Sequence, residues 1–121
     1  MKKITIITPT YNRAKTLPKV FESLLKQSFK DFIWIILDDG STDNTSTVVE
    51  NFQLFNPFFE IIYKKDKNRH KFLTVLEGVK MVKTPYFMVI DSDDIYPENS
   101  LEILISEVEK IENQDNYVAV M

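Results

Sequence analysis

The 121 residues suffice for one compact domain with a real core, and 44% hydrophobic with 27% charged residues is ordinary globular usage, which excludes disorder for the bulk of the chain. The net charge of −3 gives no general reason to bind nucleic acid or an anionic membrane surface, and no apolar run approaches the roughly 20 residues of a bilayer span. With no cysteine, disulfides, thiolate catalysis and Cys-based zinc sites are excluded.

The apolar run after Lys2-Lys3 stops at Pro9 with no small-residue cleavage site, so no signal peptide is expected and a cytoplasmic location fits. Ile4, Ile6 and Ile7 read as a first strand bounded by Pro9. Thr16 is a helix cap with Pro18 in the first turn, and Leu17, Val20, Phe21, Leu24 and Leu25 repeat at helical spacing. Phe32 to Leu37 is a continuous apolar run suited to a parallel strand covered on both faces. A second helix carries Val48, Val49, Phe52 and Phe55 on its apolar side and closes at Asn56-Pro57.

Phe59 to Tyr63 reads as a third strand, followed by a basic loop from Lys64 to Lys71. Phe72, Val75, Leu76, Val79 and Val82 mark a third helix, and Tyr86 to Ile90 a fourth strand. Pro97 opens a last helix with Leu101, Leu104, Ile105, Val108 and Ile111 as its stripe. Tyr117 to Met121 looks like a further buried strand, so the chain is expected to be part of a longer protein. Strand and helix alternate throughout, which predicts an α/β architecture with a mainly parallel sheet flanked by helices.

Three polar clusters follow predicted strands: Thr8 to Arg13, Asp38 to Asp43, and Asp91 to Asp94. In an open α/β sheet, ligands bind beyond the carboxyl ends of the strands, so all three belong on one edge. Asp91-Ser92-Asp93-Asp94 crowds carboxylates whose mutual repulsion a divalent cation relieves; hard oxygen ligands suit Mg²⁺ or Mn²⁺ and leave coordination sites for phosphate oxygens. A solvated loop whose acids favour the following helix start is the other reading. Asp38 to Asp43 is either a tight turn with a cap or a carboxylate bonding a base or ribose. Tyr11 either stacks on a planar base or packs over the sheet edge. Among the cations around His70, Arg69 and Lys71 are the candidates to neutralise a diphosphate, against a plainly solvated loop. The lone His70 receives no role.

Thr8-Pro9-Thr10-Tyr11-Asn12-Arg13, Leu37-Asp38-Asp39-Gly40-Ser41-Thr42-Asp43-Asn44-Thr45 and Val89-Ile90-Asp91-Ser92-Asp93-Asp94 together resemble the family 2 glycosyltransferases of the GT-A fold, three motifs in the right order and spacing. Leu24-Leu25-Lys26-Gln27-Ser28-Phe29 is also similar to that family's first helix and its exit. The resemblance covers nearly the whole chain but only the donor-binding half of a usual member. It implies that residues 1–121 form a nucleotide-sugar-binding domain, with the acceptor-binding half and the catalytic base outside it.

The implied reaction moves a sugar from a nucleoside diphosphate donor, often UDP-linked, to a hydroxyl of a glycan, lipid or other acceptor, with inversion. The implied donor-site residues are Pro9, Thr10, Tyr11, Arg13, Asp39, Lys71, Asp91, Ser92 and Asp93. Asp39 would bond the base edge, Asp91 the ribose, and Asp93, with Asp91 and Asp94 beside it, would hold a divalent Mn²⁺ or Mg²⁺ on the diphosphate. The family's glycine-rich stretch is kept only as Asn68, Lys71 and Gly78. Such a protein would act in the cytoplasm, at the inner membrane face when full-length.

Two rivals remain. A non-catalytic nucleotide-binding module needs the same fold but no base. A phosphoryl-accepting receiver domain also puts aspartates at strand ends, but here the acidic pair follows the second strand, not the first. Only Gly40 and Gly78 are present, too few for a P-loop or dinucleotide fingerprint.

Overall fold

The computed structural model describes residues 2–67 and 71–112. The elements run β1 (Ile4–Thr10), α1 (Leu17–Leu25), β2 (Phe32–Asp38), α2 (Thr45–Phe55), β3 (Glu60–Lys65), α3 (Lys71–Lys80), β4 (Tyr86–Val89) and α4 (Ser100–Glu112). The strands form one parallel sheet in the order β3-β2-β1-β4. Among the described residues, no helix is long and apolar enough to cross a membrane.

The strand order explains where the helices lie. The chain steps from β1 outward to β2 and β3, and then returns to β4 on the far side of β1. Right-handed crossovers in one direction put α1 and α2 on one face, and the reversed crossover puts α3 on the other. Alternation along the strands follows suit. Ile4, Ile6, Trp34 and Ile36 join the larger core with residues of α1, α2 and α4, while Ile7, Ile35 and Leu37 face the layer that includes Val79, Met81 and Val82. Phe21 and Phe52 stack with ring centroids 4.3 Å apart over the larger core. The reversal also leaves a crevice between the carboxyl ends of β1 and β4, the switch point at which such sheets bind ligands.

β1 runs beyond its expected end, through Pro9 to Thr10. The Ile7 carbonyl accepts from Ile90 N, so Ile7 points its backbone polar groups toward β4. By the two-residue period Pro9 points the same way, past the last residue of β4, where the missing N–H costs no ladder bond.

Two helices turn differently from their apolar patterns. On α3 the buried residues are Thr74 and Gly78, while Phe72 and Leu76 are 67% and 41% exposed. A Cβ at Gly78 would stand 2.6 Å from Leu37 Cδ1 and 2.9 Å from Ile7 Cγ2, so the helix meets the sheet through its smallest residue. On α2, Phe55 is 76% exposed. At about 100° per residue it sits some 120° round the helix from buried Val49, off the packing face. α4 begins at Ser100, three residues after Pro97, which lies in the turn before it. The expected strand at Tyr117 to Met121 lies outside the described residues.

Candidate functional site

Each strand of the crevice ends in a polar segment, and each segment is shaped by its own chemistry. After β1 the chain turns through Asn12, whose φ of 53° is a left-handed conformation that asparagine tolerates better than most residues. Asn12 Oδ1 accepts from Thr42 N at 2.7 Å and Asp43 N at 3.2 Å, and Asn12 N donates to Ser41 Oγ at 2.8 Å. Ala14 N donates to Asp43 Oδ2 at 3.3 Å. The loops after β1 and β2 are therefore one cross-linked unit.

Asp38 and Asp39 have separate duties. Asp38 is 2% exposed and accepts from Ser41 N and from the Tyr63 hydroxyl. Burial first, and then the bond to Asp38, pushes the Tyr63 phenol well above its ordinary value. Gly40, at φ 87°, lets the chain turn away immediately afterwards. Asp39 instead lines the cleft, and its N–H donates to Thr10 O at 2.8 Å. The expected cap of α2 takes another form: Asn44 holds the cap position without a side-chain bond, and Asp43 Oδ1 accepts from Thr45 N at 3.0 Å and from its hydroxyl. The hydroxyl bond is the leading reason that the Asp43 carboxyl sits below its ordinary value.

Beyond β4, Asp91, Asp93 and Asp94 each offer a carboxylate oxygen, all within 4.8 Å of one another. Oxygens on one small divalent cation lie about 3 Å apart when adjacent and about 4.2 Å apart when opposite, so the three carboxylates would draw closer together around a hard cation. Lys71 Nζ sits 2.8 Å from Asp91 Oδ1 at the start of α3. Tyr96 registers the local field: burial first, then the negative charges of Asp94 and Asp91, push its phenol upward.

These segments meet. One cleft of about 340 Å³ is lined by Pro9, Thr10, Tyr11, Arg13, Asp39, Lys71, Thr74, Asp91, Ser92 and Asp93. All nine donor-site residues expected from the sequence line it, and Asp94 joins through the acidic cluster. Thr74 was missed, though it lies one turn after Lys71 on the same helical face. Thr10 Oγ1 is buried and, among the described residues, is a side-chain polar atom without a hydrogen-bond partner. Buried polar groups are nearly always satisfied, so an orphan on a cleft wall favours a ligand atom as its partner. Arg69 and His70 lie outside the described residues. Lys64 and Lys65, expected in the basic loop, belong to β3, and Lys64 pairs with Glu77 of α3. Thr16, expected to cap α1, makes no cap bond; its hydroxyl donates instead to Ser92 O at 3.0 Å.

Fold and cleft define a parallel α/β domain with an acid-rimmed crevice at its switch point, sized for a small polar ligand. The family model described as glycosyl transferase family 2 matches residues 5–121, and the chain belongs to that family. Glycosyltransferase GlyG of Streptococcus pneumoniae is 31% identical over 107 residues, which is 88% of this chain and 35% of that protein. S. aureus TarS 1-349, solved in complex with UDP-GlcNAc, aligns with a TM-score of 0.78 at 24% identity, covering 91% of this chain and 32% of that one. The mannosyltransferase PcManGT of Pyrobaculum calidifontis, solved in complex with GDP-Man and Mn²⁺, aligns at 0.80 and 18% identity, covering 93% and 33%. The fold is the GT-A fold. The chain spans about a third of the length of the curated relatives it matches.

Proposed function

We propose that residues 1–121 form the donor-binding domain of a glycosyltransferase that passes a sugar from a nucleoside diphosphate sugar, UDP-linked, to a hydroxyl acceptor. The observation that carries this is the single cleft that gathers Thr10, Tyr11, Asp39, Lys71, Asp91 and Asp93 from four separate segments of the sheet edge. The complexes of TarS with UDP-GlcNAc and of PcManGT with GDP-Man and Mn²⁺ support a nucleotide-sugar donor for the shared fold.

In this reading the wall built from β1 and β2 receives the nucleoside. Tyr11, 44% exposed, offers a ring face for stacking, and Asp39 accepts from the base edge. Asp91 bonds the ribose. Arg13 and Lys71 set positive charge against the diphosphate. Asp93, with Asp91 and Asp94, is the donor set for a divalent Mn²⁺ or Mg²⁺. When bound, such a cation supplies Lewis-acid stabilisation to the departing diphosphate. The acceptor hydroxyl attacks the anomeric carbon from the face opposite the diphosphate. The new C–O bond forms as the old one breaks, the bonding pair leaves with the diphosphate, and the hydroxyl proton passes to a base. No residue of this cleft is assigned as that base. The reaction inverts the anomeric centre and runs in the cytoplasm.

Calorimetric titration with UDP, with and without Mn²⁺, tests this. Wild type is expected to bind UDP at least about tenfold more tightly with the metal, and Asp93→Ala to lose that gain. Equal UDP affinity with and without Mn²⁺ in wild type would remove the metal from the site.

A further inference from the structure

The acidic segment has almost no scaffold of its own. Between the end of β4 and the start of α4 its internal backbone bonds are Asp94 N to Asp91 O at 3.2 Å and Ser100 N to Pro97 O at 3.1 Å. Two such bonds leave a segment of this length free to take many shapes, and fixing each residue costs conformational entropy. Something outside the segment must hold it.

Helix α1 with its N-cap Thr16 and the turn that follows it does so, at successive points. Thr16 Oγ1 donates to Ser92 O at 3.0 Å. Ser23 Oγ donates to Tyr96 O at 3.0 Å and accepts from Tyr96 N at 3.1 Å, pairing with that residue as a neighbouring strand would. Gln27 Nε2 donates to Pro97 O at 2.7 Å, and its Oε1 accepts from Leu101 N at 3.1 Å. Ser28 N then donates to Glu98 O at 2.9 Å. Thr16 at the cap and Ser23 within α1 fall within about 20° of one another around the helix, and Gln27 follows in the turn after it, so the three form one polar line. Ser23 and Gln27 are 8% and 1% exposed, which makes these bonds strong and their loss expensive.

Thr16 is the informative member. At a helix start a threonine hydroxyl ordinarily accepts from an orphan N–H of its own first turn. Here that bond is not made; the hydroxyl is turned onto carbonyls, Ser92 O at 3.0 Å and the more distant Arg13 O at 3.4 Å. The Ser92 carbonyl belongs to the peptide joining Ser92 to Asp93, so holding it orients that peptide plane and the Asp93 N–Cα bond, which narrows the directions open to the Asp93 carboxylate.

We propose that α1 is the template of the acidic segment, with Thr16 a positioning residue for the cation-holding carboxylates and Ser23 and Gln27 holding the remainder in register. This rests on the reading above, in which Asp91, Asp93 and Asp94 hold a divalent cation. Thr16 touches neither donor nor metal; it acts through the Ser92 carbonyl.

The test compares wild type, Thr16→Val (same shape, no donor), Thr16→Ser (donor kept) and Gln27→Met in the full chain. Three quantities are read: Mn²⁺ affinity by electron paramagnetic resonance at saturating UDP, UDP affinity without metal, and amide exchange across residues 90–101. Thr16→Val is expected to weaken Mn²⁺ binding roughly tenfold, the usual effect of losing a partner behind a ligand. It should leave metal-free UDP binding unchanged and speed exchange at Asp94, whose N–H bonds Asp91 O, and Thr16→Ser should restore Mn²⁺ binding and wild-type exchange. Gln27→Met should speed exchange at Leu101 and Tyr96, whose N–H groups bond Gln27 and Ser23, while exchange at Asp94 stays as in wild type. Unchanged Mn²⁺ affinity and exchange in Thr16→Val overturn the proposal, as does an equal loss of metal-free UDP binding. Absence of any Mn²⁺ response in wild type sinks the metal reading instead; the exchange data then decide the template alone, for if Thr16→Val matches wild type there, it too is wrong.

Discussion

On one wall of the cleft, the loops after β1 and β2 are stitched together by Asn12, Ser41 and Asp43, and Asp38 is pinned beneath them by Tyr63. On the other wall, Lys71 and Asp91 meet through side chains that are 65% and 46% exposed, and the carboxylates of Asp93 and Asp94 crowd beside them. Apart from Thr10 Oγ1, the first wall satisfies itself. The second holds acids whose repulsion only Lys71 relieves among the described contacts, and an exposed ion pair of this kind contributes about 0–1 kcal/mol. A stacking base gains from a wall that needs no rearrangement, because ordering costs are met in folding and not in binding. A diphosphate with its cation gains from a wall whose charges are weakly committed.

The sharpest way to break that contrast is at Asn12. Asn12→Ala removes the shared acceptor and puts at φ 53° a residue that tolerates the left-handed region less well than asparagine, together about 2 kcal/mol. Melting temperature and UDP affinity should both fall, the latter roughly tenfold, while Asn12→Asp, which keeps an acceptor and tolerates the turn, retains most of both. If Asn12→Ala binds UDP like wild type, the stitching does not serve the ligand.

Lys71→Met probes the opposite wall. The melting temperature should hardly move, since the pair is exposed, but UDP affinity should drop roughly tenfold for a lost charged contact. A large loss of stability without loss of affinity would reverse the assigned roles of the two walls.

Tyr63→Phe should cost about 1 kcal/mol for the bond to Asp38. Its signature is alkaline. The folded Tyr63 phenol is raised, so its contribution is whole below the ordinary value of about 10 and is lost as pH rises beyond it. Wild type should therefore lose urea resistance above pH ~10 more steeply than the variant. Asp43→Asn gives the smallest effect and the opposite sign. The folded carboxyl is lowered, so its contribution is whole above the ordinary carboxylate value and fades as pH falls below it. The acid limb of the unfolding curve should be slightly flatter in Asp43→Asn than in wild type.

Much of this was legible in the sequence because apolar periodicity and strand-end acids are local signals. The β-branched runs at Ile4 and Phe32 gave the central strands, and the clusters at Thr10, Asp39 and Asp91 fell on one edge once the sheet was parallel. What stayed hidden depends on close approach or distant partners. The packing face of α3 is marked by Thr74 and Gly78, not by its large residues, because the helix presses against Ile7 and Leu37. The division between Asp38 and Asp39 needs Tyr63, 25 residues on. The diversion of Thr16 from its own helix to Ser92 crosses 76 residues and leaves no local trace.

The central claim is that both walls serve one ligand. A crystal grown with UDP and Mn²⁺, measured at the manganese absorption edge, addresses it directly. The account predicts one anomalous peak among Asp91, Asp93 and Asp94, touching the diphosphate, with the uracil against Tyr11 and Asp39 and a ligand atom bonded to Thr10 Oγ1. A nucleotide bound away from Asp39, or manganese held without contact to the phosphates, would contradict it.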